Sequence, residues 1–537
     1  MPLLSQRLRR VAQFLLCDAG AIPLFVAVYI SAGVVLVLTD NTLNDEGLLT
    51  HYFASWARQE FFPVIFFQRV RPVLSALYLP ISAGGVRATL IAHVVVASLA
   101  LPMLAAVARA LDHRLPNLAA FAVALSPLYF FGAPAGLSNV DGVVAISLIL
   151  YLLCARRRPL QAGMVAGLLP WIRPELGLFS LTMGLHALLV RRDRRLLAGL
   201  PIFPILYAAG GALYHGDGLW LLHYPPSAAP DPTALKWQGQ LLGLQFFLEP
   251  LLAVTPLAAL VVAVRPAILK AVERSLLAYI VVTALLLNGL PMLRLANFGT
   301  SPRYSMAILP ALGLLAERVL EPWWEGERPR GLALAAIGVF ALWLATRQSD
   351  AVTVTVLLAA YALLLTAAAG RRGTAALALA VGLVVAGPLL TIRRDVGRTV
   401  TAPFLDPMLD WLQAHPEQLT GPLLTNSQLL AAFAEQRLPD LDIRFVAGSD
   451  ISGDMTQLSN PANGQRQAIL RLCATDLYGR TLFAPIDPDD VPPGALLALR
   501  VEKRLPLLLP EAVWGPRLEI LADTPLFRIA RVRPRGS

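Results

Sequence analysis

The chain is poor in charge. Asp, Glu, Lys and Arg make up 15% of its 537 residues and hydrophobic residues 56%, with a mean hydropathy of +0.61, whereas roughly a quarter of an ordinary soluble domain is charged. That excludes a soluble globular protein. Cysteine is scarce too: Cys17, Cys154 and Cys473 lie far apart, which excludes a disulfide framework and offers no metal-ligand spacing. No internal repeat is visible, which weakens transporter folds built from duplicated halves.

What the chain has instead is a succession of apolar runs, several near the ~20 residues needed to span hydrocarbon as a helix; a membrane β-barrel is thereby excluded. These runs predict a polytopic α-helical membrane protein with about thirteen transmembrane helices and a C-terminal soluble α/β domain. The runs are 21–39, a second beginning at Arg71-Pro72 or after Gly84-Gly85 and reaching Leu111, then 117–132 and 139–154. A stretch at 159–190 is interrupted by WIRPE and reads as two shortened helices turning at Arg173-Pro174-Glu175, because proline ends a helix and pushes its predecessor out of the α region. Runs at 196–213, 241–264, 275–293, about 305–320, 331–346, 351–369 and 374–392 complete the set.

The net charge of +10 is not the footprint of a nucleic-acid partner. It collects in short clusters between apolar runs: Arg7, Arg9 and Arg10; Arg156, Arg157 and Arg158; Arg191, Arg192, Arg194 and Arg195; Arg371 and Arg372. That is the positive-inside pattern. It predicts a multi-pass protein of the plasma (inner) membrane with a cytoplasmic N-terminus and an uncleaved first helix after RLRR. An odd number of spans then puts the C-terminus outside. From Arg393 the composition changes: segments such as GPLLTNS, IRFVAG, GALLALRV and PLFRIARV alternate with PMLDWLQAHPEQL and NSQLLAAFAEQRL. Short β runs between amphipathic helices imply a small α/β domain, so the expected division is a membrane domain over 1–392 and an extracytoplasmic domain over 393–537.

Chemistry concentrates on the external side. The loop from Asp40 to Pro72 carries the acid pair Asp45-Glu46. Acids at a membrane boundary are costly and mark function, and a carboxylate there can act as general base toward an acceptor hydroxyl or amine. The same pair also reads as the start of an interfacial helix, where acids favour the positive end of the dipole. Arg69, Arg71, Arg173, Arg294 and Arg303 lie on predicted external turns, where the positive-inside rule expects few cations. Singly each reads as an interfacial side chain; together they suit a phosphate or pyrophosphate. Asp141 opens the fourth run as a helix-start acid or as a second carboxylate facing the cavity of Asp45. Glu175 and His51 are weaker candidates of this kind. His215 and His223 have no third ligand and read as loop residues. Asp440, Asp442, Asp487, Asp489 and Asp490 read as turn chemistry.

Taken in order, the acid pair and surface helix after the first span, the Arg-Pro before the second, the Asn-x-Asp at 139–141, the hairpin broken at Arg-Pro-Glu and the segment PRYSMAILPALGLLAERVL resemble the glycosyltransferase C superfamily. The likeness is to its bacterial thirteen-span polyprenyl-phosphate-sugar transferases, the aminoarabinose transferase and protein O-mannosyltransferase relatives, and it covers about residues 1–400. Where the aminoarabinose branch has Lys-Pro-Pro, this chain has Arg-Val-Arg-Pro-Val at 69–73. The resemblance implies an inverting transferase using a polyprenyl-phosphate-linked sugar donor within the lipid bilayer. Asp45 would be the base with Glu46 beside it, Asp141 the second acid, and Arg69, Arg71, Arg173 and Arg303 the donor-phosphate ligands. Glu175 and Tyr304 would line the substrate cavity. No organic cofactor is implied, a divalent metal is left open, and the acceptor is unspecified. The rival expectations are a transporter or channel for a polar or anionic solute, whose charges line a path, and a non-catalytic assembly protein.

Overall fold

The computed structural model describes residues 13–39, 45–59, 61–66, 71–223, 269–292, 302–324, 405–425, 443–445, 491–501 and 511–534, with Leu430 and Leu438 between. The predicted spans at 241–264, 331–346, 351–369 and 374–392 lie outside the described residues, as do Arg69, Arg294, Cys473, Asp440, Asp442, Asp487, Asp489 and Asp490. Within them the chain is mostly helical.

The first apolar run forms helix α1 (Ala21–Leu38). Its outward residues Leu24, Val28 and Val35 are each more than half exposed. A helix apolar on every side, yet not enclosed by protein, is one built to face hydrocarbon. Four helical stretches among the described residues are long and apolar enough to cross a membrane: Ala21–Leu38, Ser82–Ala110, Ser138–Ala155 and Arg194–His215.

After α1 the acid pair opens α2 (Asp45–Gln59). Arg71 stands just before α3 (Pro72–Tyr78), whose proline occupies the first helical position, where its missing N–H costs nothing. Helices α4 (Gly85–Ser98) and α5 (Ala100–Ala110) run almost end to end, and α6 (Leu118–Ala124) follows. A short helix at Pro127–Gly132 and a loop through Gly136 lead into α7 (Ser138–Leu150), which continues as one wide π turn, Tyr151–Ala155. Helix α7 is enclosed along nearly its whole length, with all but one of its residues buried. It packs against α5, against α8 (Pro159–Ile172) and against the 3-10 segment Pro302–Ile308, so it is the axis on which the other elements are hung.

The interruption expected at Arg173-Pro174-Glu175 is present. Helix α8 ends at Ile172, Arg173 is extended with φ −156° and ψ 135°, and a 3-10 turn at Pro174–Leu176 leads into α9 (Gly177–Leu185). Next come α10 (Arg194–Gly199) and α11 (Ile202–His215). Helices α8 and α10 meet at backbone distance: a Cβ on Gly163 would fall 2.2 Å from the Leu196 carbonyl oxygen, an approach only glycine permits.

Helices α12 (Ala271–Met292) and α13 (Leu309–Trp324) form the last described membrane-part pair. The sequence placed a helical start near residue 305. The chain instead remains 3-10 from Pro302 to Ile308 and becomes α-helical at Leu309, because Pro310 is tolerated only within a first helical turn. The far ends of this pair are clasped by Glu273, which is fully buried. Its Oε2 accepts the Lys270 backbone N–H at 2.6 Å, a capping contact, and its Oε1 accepts from Arg318 Nε at 2.8 Å and pairs with His113 Nε2 at 2.7 Å. Arg318 also donates to the Leu111 carbonyl at 2.6 Å, tying α13 to the end of α5.

Toward the C-terminus, α14 (Leu405–Ala414) precedes strands β1 (Leu423–Thr425), β2 (Ile443–Phe445), β3 (Leu496–Arg500), β4 (Leu518–Asp523) and β5 (Phe527–Val532). They form one mixed sheet in the order β2-β1-β3-β5-β4, with β1 parallel to β2 and β3, and β5 antiparallel to β3 and β4. The sequence pattern did not single out β4. A register shift between Ile520 and Ala522 breaks the period-two alternation by which a strand is read.

Candidate active site

Three of the external-turn candidates, Arg71, Arg173 and Arg303, come from segments remote in sequence and gather near the start of α7. Arg71, at the entrance to α3, donates from Nη1 to Ser138 Oγ. Arg173, from the break between α8 and α9, donates from its own Nη1 to the same oxygen at 2.9 Å and to Asn139 Oδ1 at 3.1 Å. Two donors occupy the two lone pairs of one hydroxyl. Arg173 Nε pairs with Glu175 Oε1, and its guanidinium lies over the Tyr304 ring, 5.1 Å from the centroid. Arg303 approaches that ring as well, at 5.7 Å. Tyr304 is thus the cationic face's aromatic neighbour.

The local chain explains these positions. Extended backbone at Arg173, forced by Pro174, turns a side chain that a continuing helix would hold alongside α8. The 3-10 path through Pro302–Ile308 does the same for Arg303 and Tyr304. Ser138 and Asn139 open α7 from an extended Leu137. Arg173, Ser138 and Asn139 are all buried, so each must be hydrogen-bonded where it stands.

Asp141, one turn below Ser138, stands in the first turn of α7, as the helix-start reading has it. It is only 4% exposed and turned inward: Tyr78 Oη donates to Oδ1 at 2.6 Å, and His93 Nε2 lies 3.0 Å from Oδ2. The physical reason is its depth in α7, where an ionisable group must find partners among neighbouring helices. His93, in α4, also places Nδ1 2.6 Å from the Ala133 carbonyl. Sequence reasoning singled out none of Tyr78, His93 and Ser138, and Asn139 entered it only as the start of the Asn-x-Asp at 139–141. A signal for the last two existed: three polar residues within four positions at the head of an otherwise apolar helix.

The segment bearing Asp45 and Glu46 is docked on the loop that precedes α7. A Cβ on Gly47 would fall 1.6 Å from the Ala135 carbonyl oxygen, so α2 and the loop touch backbone to backbone. Gly136, at φ +74°, makes the left-handed turn this contact needs, and its carbonyl accepts from Thr50 Oγ1 at 3.3 Å. One turn along, His51 is buried with Nδ1 2.9 Å from Thr89 Oγ1, and burial pushes its imidazole down to about 4. His215 lies beside Phe66 and Trp220, with Nε2 3.2 Å from the Phe66 carbonyl. Among the described residues no group of three or more His, Cys, Asp and Glu could hold a metal ion.

No protein-family model matches the chain, and no curated protein matches it. Among solved structures it is similar to ArnT from Cupriavidus metallidurans bound to undecaprenyl phosphate, with 15% identity, a TM-score of 0.53, and 96% of this chain and 98% of that chain covered. The apo state of the same protein gives 14% identity, a TM-score of 0.49, and coverage of 95% and 98%. At such identity the first likeness is one of fold alone: the chain shares the fold of that protein over 96% of its length.

Proposed function

We propose that this chain, folded as a glycosyltransferase C protein, is an integral-membrane glycosyltransferase that moves a sugar from a polyprenyl-phosphate donor to a lipid, glycan or protein acceptor on the extracytoplasmic face. The observation that carries the reading is the convergence of Arg71 and Arg173 on Ser138 Oγ, with Arg303 joining Arg173 at Tyr304. Guanidinium groups held in place by the Ser138 hydroxyl, with Arg173 also paired to Glu175, are preorganised for phosphate oxygens. The likeness of fold to a protein bound to undecaprenyl phosphate supports the same donor class.

In this reading Asp45 accepts the proton of the acceptor's hydroxyl or amine, and the freed electron pair attacks the anomeric carbon. The bond from that carbon to the phosphate oxygen breaks, its electrons pass to the phosphate, and the configuration inverts in a single displacement. Charge growing on the phosphate is met by the arginines already in place, which is where electrostatic preorganisation lowers a barrier. Glu46 is the neighbour of the base at the helix start. Glu175 orients Arg173, and Tyr304 borders the donor. Asp141 supports the floor beneath Ser138. The reading retains about thirteen spans, an N-terminus in the cytoplasm, and a membrane domain at 1–392 followed by an extracytoplasmic domain at 393–537.

Purified protein with a polyprenyl-phosphate sugar and a candidate acceptor tests this directly. Release of polyprenyl phosphate by wild type and its loss in Asp45→Asn at unchanged expression is the expected result. Solute movement in proteoliposomes without donor consumption would assign the chain to transport instead.

A further inference from the structure

We infer that His93 is a positioning residue for the transfer reaction, the link that holds the acid-bearing helix α2 in register with the arginine cluster at the head of α7. The inference rests on the functional reading above for its kinetic part and on geometry alone for its structural part.

Hydrogen-bond chemistry fixes what His93 does. The Ala133 carbonyl can only accept, so Nδ1, 2.6 Å away, carries a hydrogen. A proton must then also lie between Nε2 and Asp141 Oδ2, 3.0 Å apart. The ring and the carboxylate therefore share one proton and are neutral as a pair, as burial at 1% and 4% exposure requires. Tyr78 supplies the remaining donor, to Oδ1. This arrangement uses both ring nitrogens to join α4 to α7 on one side and to the loop before α7 on the other.

The oxygen that His93 grips is not incidental. The Ala133 carbonyl also accepts the Gly136 N–H at 3.1 Å, the bond that closes the left-handed turn at Gly136. On that turn α2 is docked, through the contact of Gly47 with Ala135 and the hydrogen bond from Thr50 to Gly136. An unbroken series of contacts thus runs from Asp141, one turn below Ser138, through His93 and Ala133 to Gly136 and Gly47, two residues after Asp45. Nothing in the mechanism requires His93 to touch a substrate. Its effect is on where the acid pair sits relative to Ser138.

Asparagine and glutamine separate the two halves of this bridge. Asn places an amide nitrogen near the position of Nδ1, and Gln places one near Nε2. His93→Asn therefore keeps the bond to Ala133 and gives up Asp141, whereas His93→Gln does the reverse. The experiment compares wild type, His93→Ala, His93→Asn and His93→Gln by amide hydrogen exchange and by steady-state transfer from a polyprenyl-phosphate sugar. In the Ala and Gln variants, exchange should rise at 133–137 and 47–51 but not along 142–150. The turnover number should fall about 10- to 100-fold, the scale of a misplaced catalytic group, with KM for the donor unchanged. His93→Asn should keep wild-type exchange at 133–137 and 47–51, because the Ala133 carbonyl is still held, yet lose turnover as the other variants do, because that loop is no longer tied to Asp141 of α7. A Gln variant whose exchange in these segments is as low as that of the Asn variant, an Ala variant with wild-type exchange, or an Asn variant with wild-type turnover, overturns the proposal. The Asn and Gln comparison stands even where the Ala variant does not express. If wild type transfers no sugar, the functional reading falls, while the exchange pattern still decides the role of His93.

Discussion

Arg173 is asked to do two things, and they can be separated. It neutralises Glu175 in a buried setting, with side-chain exposures of 5% and 9%, and it is proposed to receive the donor phosphate. Replacing it alone, as Arg173→Met, leaves the Glu175 carboxylate buried without its guanidinium, a loss of about 3–5 kcal/mol. Removing both charges, as Arg173→Met with Glu175→Leu, returns most of that stability, because a buried pair exchanged for apolar groups of similar volume is close to neutral. Phosphate affinity follows a different rule. The charge-assisted hydrogen bonds lost with the guanidinium are worth about 1.5–3 kcal/mol, or roughly 10- to 150-fold in dissociation constant, and deleting Glu175 does not restore them. The assay is thermal unfolding in detergent alongside binding of polyprenyl phosphate by native mass spectrometry. The single variant should melt several degrees lower and bind weakly; the double variant should recover the melting temperature and still bind weakly. A double variant that binds as wild type refutes the phosphate role, and a single variant that melts like the double refutes the ion-pair reasoning.

Three further outcomes follow from the same geometry. Asp45→Asn should lower turnover by about 100-fold or more, the usual contribution of a positioned base, while native mass spectrometry finds polyprenyl phosphate bound as in wild type. Gly47→Ala inserts a methyl 1.6 Å from the Ala135 carbonyl oxygen; the forced separation should cost about 1–3 kcal/mol and raise amide exchange across α2 and 133–137, and an unchanged exchange pattern would contradict the docking. His51 makes that docking sensitive to acid. Its pKa, held near 4 against an ordinary 6.5, means that the undocked form binds a proton first as pH falls, so the stabilisation is complete above 6.5 and lost progressively toward 4. Between pH 7 and pH 5 docking should weaken by about 2 kcal/mol, read as faster exchange in α2, and His51→Gln should remove most of this dependence.

What could be read from the sequence was whatever depends on neighbours along the chain. The first span, the helix opening at Asp45, the proline entrance at Pro72 and the break at Arg173 are local consequences of apolar runs and of proline, and each is found where those rules put it. The start of α13 was misplaced because an apolar run does not distinguish α from 3-10 geometry. Partners were not legible. Asp141 could be read as a helix-start acid, which it is, but not for its partners, because Tyr78 and His93, which bind its carboxylate, lie 63 and 48 positions earlier in the chain. A single histidine in the apolar run at 85–98 carries no periodic signature, and only packing shows that both its nitrogens are used. The same holds for Ser138, whose importance lies in being the place where Arg71 and Arg173 meet.

The membrane itself explains why the candidate site is assembled from the ends of helices rather than their middles. A regular helix satisfies its own backbone and therefore tolerates lipid, but for the same reason its interior has no spare N–H to offer an anion. Spare donors exist only where helices begin, and polar side chains are affordable there because irregular backbone is sheltered by protein. Arg71 precedes α3, Ser138 and Asn139 begin α7, Arg173 occupies the gap between α8 and α9, and Arg303 and Tyr304 lie in the 3-10 approach to α13. Each break is set by a proline or by an extended residue: Pro72, Leu137, Pro174, Pro302. These residues would never touch a substrate, yet they decide which way the cations point. A search for the functional positions of this fold should therefore weigh Pro174 as heavily as Arg173, since a helix continued through position 173 would carry the guanidinium away from Ser138 without altering any charge.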